Sequence, residues 1–130
     1  MGAGAEHWER VASLEALGTS GGPEAVARLL DVLAGDAGDK ECWHTKTAAL
    51  RALAHLGAAA AGPAILKTLA RDPDPEVREA AIEALGVLGF QQARRLLERL
   101  GGDPHRPALA EAARRALARL DLRKMTPRVD

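Results

Sequence analysis

Residues 78–89 read REAAIEALGVLG, and the same arrangement of Ala, Leu and charged residues recurs on both sides of them. Residues 46–57 read KTAALRALAHLG, and residues 110–121 read AEAARRALARLD. The three segments are 32 residues apart, and an earlier copy at 10–21, RVASLEALGTSG, fits the same frame at an offset of 36. A fixed period of roughly 20 to 50 residues is typical of stacked repeats. The chain is therefore predicted to be a repeat array.

Each copy has the apolar spacing of a helix. In the central copy, Val77, Ala81, Ile82, Leu85 and Leu88 recur at steps of three and four, which gives one apolar stripe. The 28 Ala and 19 Leu, against one Phe and no Tyr, favour helices over strands. One helix cannot bury such a stripe alone, so the copies are expected to stack in an all-α fold.

A second class of helix lies between these copies, and turn residues mark the boundaries. Asp74 is a predicted N-cap with Pro75 at the first helical position. Gly21, Gly57 and Gly89 follow helices, where a left-handed backbone is favourable for glycine. The predicted helices are 6–18, 23–34, 41–56, 62–71, 75–88, 91–100 and 106–120.

The helices are predicted to belong to one repeat domain that spans residues 1–130, because this length suits a single core. It comprises a lone first helix at 6–18, helix pairs at 23–56, 62–88 and 91–120, and a polar tail at 121–130.

The segment 63–89, PAILKTLARDPDPEVREAAIEALGVLG, resembles a HEAT repeat, with a Leu-rich first helix, an Asp-Pro turn and an Ala/Leu second helix. The short period and the segments LGTSGGPEAV and LGVLG are similar to the phycobilisome-lyase-like HEAT repeats. The resemblance covers residues 10–121 and implies a right-handed α-solenoid of about seven helices. It also implies that helices 41–56, 75–88 and 106–120, with the first helix, form the concave face.

In that family an Asp of the turn and an Arg of the second helix form a ladder between repeats. Here Asp72 or Asp74 and Arg78 match the pattern, while Lys46 and Ala110 occupy the Arg position in the neighbouring copies. The resemblance therefore implies a ladder that supports one junction only.

No residue pattern indicates catalysis, a metal or a cofactor. Some HEAT-repeat hydroxylases hold iron with His-Glu dipeptides, but here only the reversed pair Glu6-His7 occurs. Cys42 and His44 are two residues apart, whereas neighbours on one helix face are three or four apart. The protein is therefore predicted not to be an enzyme.

Charge is unevenly distributed although the formal net charge is zero. Residues 1–60 carry five Lys or Arg against eight acids, and residues 91–130 carry ten against five. The basic end could bind phosphates through Arg95, Arg99 and Arg119, or it could be an ordinary solvated face. A nucleic-acid or phosphate-binding protein is therefore the alternative function. A tetrapyrrole lyase or chaperone is a weaker alternative, suggested by the resemblance alone.

The leading hypothesis is a non-catalytic scaffold or adaptor that binds a partner protein on its concave face. Trp8 and Trp43 fall near the starts of inner helices, where they could form a binding hot spot or fill the seam between repeats. The candidate partner-binding residues are Trp8, Trp43, His44, Arg51, Arg78, Glu79, Glu83 and Arg115.

The cellular location of the protein is predicted from its lone Cys42 and from the absence of a long apolar run. Both favour a cytoplasmic protein without a membrane span. Apolar residues in the terminal helices would allow self-association through a solenoid end. They are Val11, Leu14 and Leu17 in the first helix and Leu109, Leu117 and Leu120 in the last, with Leu122 nearby in the tail.

Overall fold

The computed structural model describes residues 11–19, 21–34 and 42–125, and these residues form seven helices and no strand. The predicted all-α fold is confirmed. Short 3-10 turns at Ala59–Ala61 and Gln91–Ala93 precede the fourth and sixth helices. The helices are α1 (11–19), α2 (Pro23–Ala34), α3 (Cys42–Leu56), α4 (Gly62–Arg71), α5 (Pro75–Leu88), α6 (Arg94–Gly101) and α7 (Pro107–Met125).

Local capping residues set the helix ends in the middle of the chain. An Asp74 carboxylate oxygen accepts a hydrogen bond of 2.9 Å from the Glu76 backbone N–H, and Pro75 begins α5. Gly57 and Gly89 have φ values of 66° and 69°, in the left-handed region predicted for them. Because these signals are local, α2, α4 and α5 begin and end at the predicted residues.

Two boundaries near the C-terminus were predicted wrongly. The helix expected from residue 91 begins with a 3-10 turn and becomes α-helical at Arg94. Helix α7 continues to Met125, so residues 121–125 are not part of a tail. Long-range contacts stabilise this extension: the Gln91 side chain donates to the Leu120 carbonyl at 3.1 Å, and Arg94 pairs with Asp121 at 2.9 Å.

The helices pack in two rows. Helix α2 contacts α3, α4 contacts α5 and α6 contacts α7, while α3, α5 and α7 lie side by side in one row. At the same position of that row, Ala49, Ala81 and Ala113 are completely buried. The stacking inferred from the 32-residue period is therefore confirmed, and the right-handed twist remains a prediction.

Glycine and alanine allow close approach between neighbouring helices of this row. A Cβ atom added to Gly18 would lie 2.8 Å from the Ala52 Cβ, and one added to Gly86 would lie 2.9 Å from the Ala116 Cα. The predicted stripe on α5 is buried, and Ala80 and Ala84 are buried as well. Small residues therefore fill the contacts between helices of the row, beyond the single stripe that the sequence predicted.

A buried ion pair joins α3 to the turn between α4 and α5. The Lys46 Nζ lies 2.9 Å from Asp72 Oδ2, and both side chains are less than one tenth exposed. The other oxygen, Asp72 Oδ1, accepts from the Asp74 backbone N–H at 2.9 Å. Arg78 donates its Nε–H to the Leu69 carbonyl at 3.1 Å instead of pairing with an Asp of its own turn. The ion pair therefore connects successive repeats through Lys46.

The C-terminal end is more polar than the sequence suggested. Leu109 and Leu120 are buried, Leu117 is half-buried, and Glu111, Arg114 and Arg119 are exposed. In the first helix, Val11 and Leu14 are also buried. The expectation that Val11, Leu14, Leu109 and Leu120 would be exposed at the ends was wrong, because packing within the chain buries them, whereas Leu122 is exposed as expected. Among the described residues, Leu122 is the one large apolar side chain that is exposed.

Candidate functional site

A groove of about 670 Å³ crosses the described parts of α1, α3 and α5. Its floor contains the small, buried residues Ala48, Ala52 and Ala80, which leave space between the longer side chains at its edges. The helices beside it are α1, α3 and α5 of the row predicted to be the inner face. This groove is the candidate partner-binding site.

Trp43 and His44 lie at the start of α3 and contribute to the groove. Their ring centroids are 3.4 Å apart and the ring planes are inclined by 31°. Trp43 is half-buried and packs against the core while it also lines the groove. Trp43 is therefore packed against the core on one side and accessible from the groove on the other. Trp8 lies outside the described residues.

Four charged residues of alternating sign occupy one position of the repeat. Glu15, Arg51, Glu83 and Arg115 follow one another at offsets of 36, 32 and 32 residues. The first three line the groove. At its C-terminal side, Arg115 lies 3.8 Å from Glu83 and 3.2 Å from Glu111, with its side chain about half exposed. Glu15 was missed as a candidate, although comparing this position across all four copies would have found it.

Acidic residues outnumber arginine in the groove. Glu15, Glu76, Glu79 and Glu83 line it, together with Arg51, His44 and His55. Glu76 was also missed, because its place in the first turn of α5 is explained by the positive end of the helix dipole. That local role does not occupy its carboxylate, since Glu76 is exposed and also borders the groove.

Arg78 is not among the residues of the groove. The Arg78 side chain is half-buried, and this burial lowers the pKa of its guanidinium. The nearby positive charge of Arg106 lowers the same pKa further. Asp103 and Asp72 act in the opposite direction on this pKa. Asp72 lies in the α4–α5 turn, whereas Asp103 and Arg106 lie in the α6–α7 turn.

The arginines of the C-terminal end divide into two groups. Arg94 pairs with Asp121, and Arg114 donates to the Gly101 carbonyl at 3.0 Å. A second group is exposed and forms no ion pair with another described residue. This group contains Arg106 and the three candidates for anion binding, Arg95, Arg99 and Arg119.

Neither a metal site nor a membrane-spanning helix is present in the part of the chain that the structure describes. Within residues 11–19, 21–34 and 42–125, no three His, Cys, Asp or Glu residues are grouped as a metal site requires. In the same ranges, every helix is too short or too polar to cross a bilayer.

Paired helices stacked at a fixed period define an α-helical repeat protein. The family model for HEAT repeats matches residues 37–118, and the model for the PBS lyase HEAT-like repeat matches residues 9–35. The chain belongs to the HEAT-repeat family. HEAT repeats generally mediate protein–protein interaction and generally serve as non-catalytic scaffolds. No curated protein matches the sequence.

Proposed function

We propose that the chain is a single-domain, non-catalytic interaction module that binds a partner protein in the groove between α1, α3 and α5. The observation that carries this proposal is the groove itself, in which Trp43 is accessible beside charged residues of both signs. An aromatic anchor surrounded by a polar rim is the usual composition of an interaction hot spot.

The polarity of the groove favours a protein over a small molecule. Pockets for small molecules are lined mainly by apolar and aromatic side chains with a few polar groups. Here four Glu, one Arg and two His border a floor of alanines. Charged residues spaced along successive helices suit the side chains of a polypeptide segment, because each can meet a different residue of it.

The packing of the helices favours a rigid binding surface. Helices α3 and α5 contact each other directly, and Leu50, Leu53 and Leu85 beneath the groove are completely buried. A surface that is already ordered avoids the entropy loss of ordering on binding. The proposed mechanism is therefore passive recognition by a preformed surface.

Site-specific photo-crosslinking in the source cells tests the proposal. A benzophenone amino acid replaces His55, which is exposed in the groove, or Ala70, which is exposed on α4 outside it. We expect the probe at His55 to capture a defined protein that the probe at Ala70 does not capture. The substitution Trp43→Ala, which removes the aromatic surface of the groove, should weaken this crosslink. Equal capture from both positions would contradict a binding site in the groove.

The exposed arginines of α6 and α7 support a second candidate function, binding of nucleic acid or another polyanion. Arg95, Arg99 and Arg119 have no ion-pair partner among the described residues. If this function holds, the protein is retained on DNA or RNA at low salt and released steeply as salt rises. Replacing the three arginines by Ala should then abolish retention. The interaction-module proposal expects little retention of the unmodified protein.

A further inference from the structure

We propose that the groove binds a lysine or arginine side chain of its partner between the Trp43 indole and the carboxylates of Glu76 and Glu79. This inference rests on the proposed function, since it names the chemistry of the segment that the groove would bind. The three side chains line the same groove, at the side where α3 and α5 begin.

The repeat register leaves these two carboxylates without a Lys or Arg at the equivalent positions of the neighbouring copies. Glu83 has Arg51 at its position in the preceding copy and Arg115 in the following one. Glu76 corresponds instead to His44 and Ala108, and Glu79 to Thr47 and Glu111, at offsets of 32 residues. The charges of Arg51, Glu83 and Arg115 therefore alternate in sign along the row. The carboxylates of Glu76 and Glu79 have no such opposite charge at equivalent positions.

The ion pairs of the described residues are consistent with this comparison of the repeat copies. The described residues contain four ion pairs of 4 Å or less, and neither Glu76 nor Glu79 takes part in one. The Asp74 hydrogen bond uses the Glu76 backbone N–H and leaves its carboxylate oxygens available. Glu76 is exposed and Glu79 is half-buried, so a ligand in the groove can reach the first and partly desolvate the second.

Trp43 makes this part of the groove suitable for a long basic side chain. The face of an indole attracts an ammonium or guanidinium group, and a nearby carboxylate adds a charge-assisted hydrogen bond. A flat apolar ring beside two acids thus suits a long basic side chain, whose methylene groups pack on the ring while its charged end reaches the acids. An acidic segment would be repelled by four glutamates against one arginine.

Tryptophan fluorescence provides a direct test with defined peptides. The chain has two Trp, so the substitution Trp8→Phe leaves Trp43 as the only one. This variant of the 130-residue chain is titrated with an acetylated twelve-residue peptide of alternating Arg and Ala, and separately with its Glu/Ala counterpart. We expect the Arg/Ala peptide to change the Trp43 emission and to bind more weakly as salt rises. The Glu/Ala peptide should not bind.

Two matched pairs of substitutions locate the binding. Glu76→Gln with Glu79→Gln removes two charges from the groove, whereas Glu24→Gln with Glu98→Gln removes two from exposed positions on α2 and α6. We expect the first pair to weaken Arg/Ala binding about tenfold. The second pair should leave it unchanged. Far-UV circular dichroism checks that each variant is folded, which matters most for Glu79 because its side chain is half-buried.

Three results would overturn the inference. The first is equal binding of the Arg/Ala peptide to the two paired variants, and the second is a comparable response to the Glu/Ala peptide. The third is salt-sensitive dimerisation in sedimentation velocity that the Glu76 and Glu79 substitutions abolish, because a second copy of the chain would then occupy the groove.

Crosslinking separates this inference from the proposed function. If the protein captured at His55 binds the Glu76/Glu79 variant with unchanged affinity, the groove binds a partner and the cationic recognition is wrong. If nothing is captured specifically at His55, the proposed function itself fails.

Discussion

Replacing Lys46 by Met is expected to destabilise the protein more than removal of any exposed charge. The Lys46 ammonium lies 2.9 Å from the Asp72 carboxylate, and the two side chains are 7% and 8% exposed. Methionine matches the length of the lysine stem but carries no charge. The substitution therefore leaves the Asp72 carboxylate buried without its cation.

The burial of the Lys46–Asp72 ion pair determines how much free energy of unfolding is lost when Lys46 is replaced. Removing one member of a buried ion pair costs about 3–5 kcal/mol, because the other charge remains desolvated. Asp72 keeps the hydrogen bond from the Asp74 N–H, so we expect the lower end, about 3 kcal/mol. That is a large share of the roughly 5–15 kcal/mol that stabilises an ordinary domain. For this chain length it corresponds to a fall in Tm of about 10 °C.

Urea unfolding followed by circular dichroism measures the loss, with Arg115→Met as the control. Arg115 also forms ion pairs, but its side chain is 53% exposed, so we expect its removal to cost less than about 1 kcal/mol. Asp72→Asn, alone and combined with Lys46→Met, completes a double-mutant cycle in which we expect a coupling of about 2 kcal/mol. A loss at Lys46 no larger than at Arg115, or zero coupling, would refute the reasoning.

Two further substitutions test the helix cap and the close helix approach. Asp74→Ala should lower the free energy of unfolding by about 1 kcal/mol, because it removes the cap bond to the Glu76 N–H, and the same urea measurement checks it. Gly86→Ala gains about 1 kcal/mol of helix propensity, yet its Cβ would lie 2.9 Å from the Ala116 backbone, so a net loss of about 1 kcal/mol is expected. Gly102→Ala, where a Cβ meets nothing closer than 3.8 Å, is the control. A Gly86→Ala protein more stable than the parent would show that α5 and α7 are not in such close contact.

Local sequence signals were sufficient to predict many of the helix boundaries. The boundaries of α5 follow from Asp74, Pro75 and Gly89, whose effects act within one helical turn. The 32-residue period predicted that Ala49, Ala81 and Ala113 occupy equivalent positions in the stack, and all three are buried. Helix α7 extends past its predicted end for the opposite reason, since the bond from Gln91 to the Leu120 carbonyl joins residues 29 apart in sequence.

The candidate site was harder to predict because it depends on neighbours across helices. Glu76 had a sufficient local explanation at the start of α5, and only the packing of α5 beside α3 places it in a groove with Trp43. Lys46 was recognised at the Arg position of the ladder, but its partner was not. Lys46 and Asp72 are 26 residues apart in sequence, and the spacing of residues along one helix predicts only neighbours three or four residues apart.

The arrangement of charge along the stack explains why the zero net charge is a poor guide to binding. The groove gathers four glutamates against Arg51, while Arg95, Arg99 and Arg119, which are exposed and form no ion pair with a described residue, lie on α6 and α7. A polyanion that approaches the groove is repelled, and a polycation that approaches the other end is repelled there. The two candidate functions therefore use different surfaces. Substitution of Glu76 and Glu79 should leave any nucleic-acid retention unreduced, just as substitution of the α6 and α7 arginines should leave peptide binding in the groove unreduced.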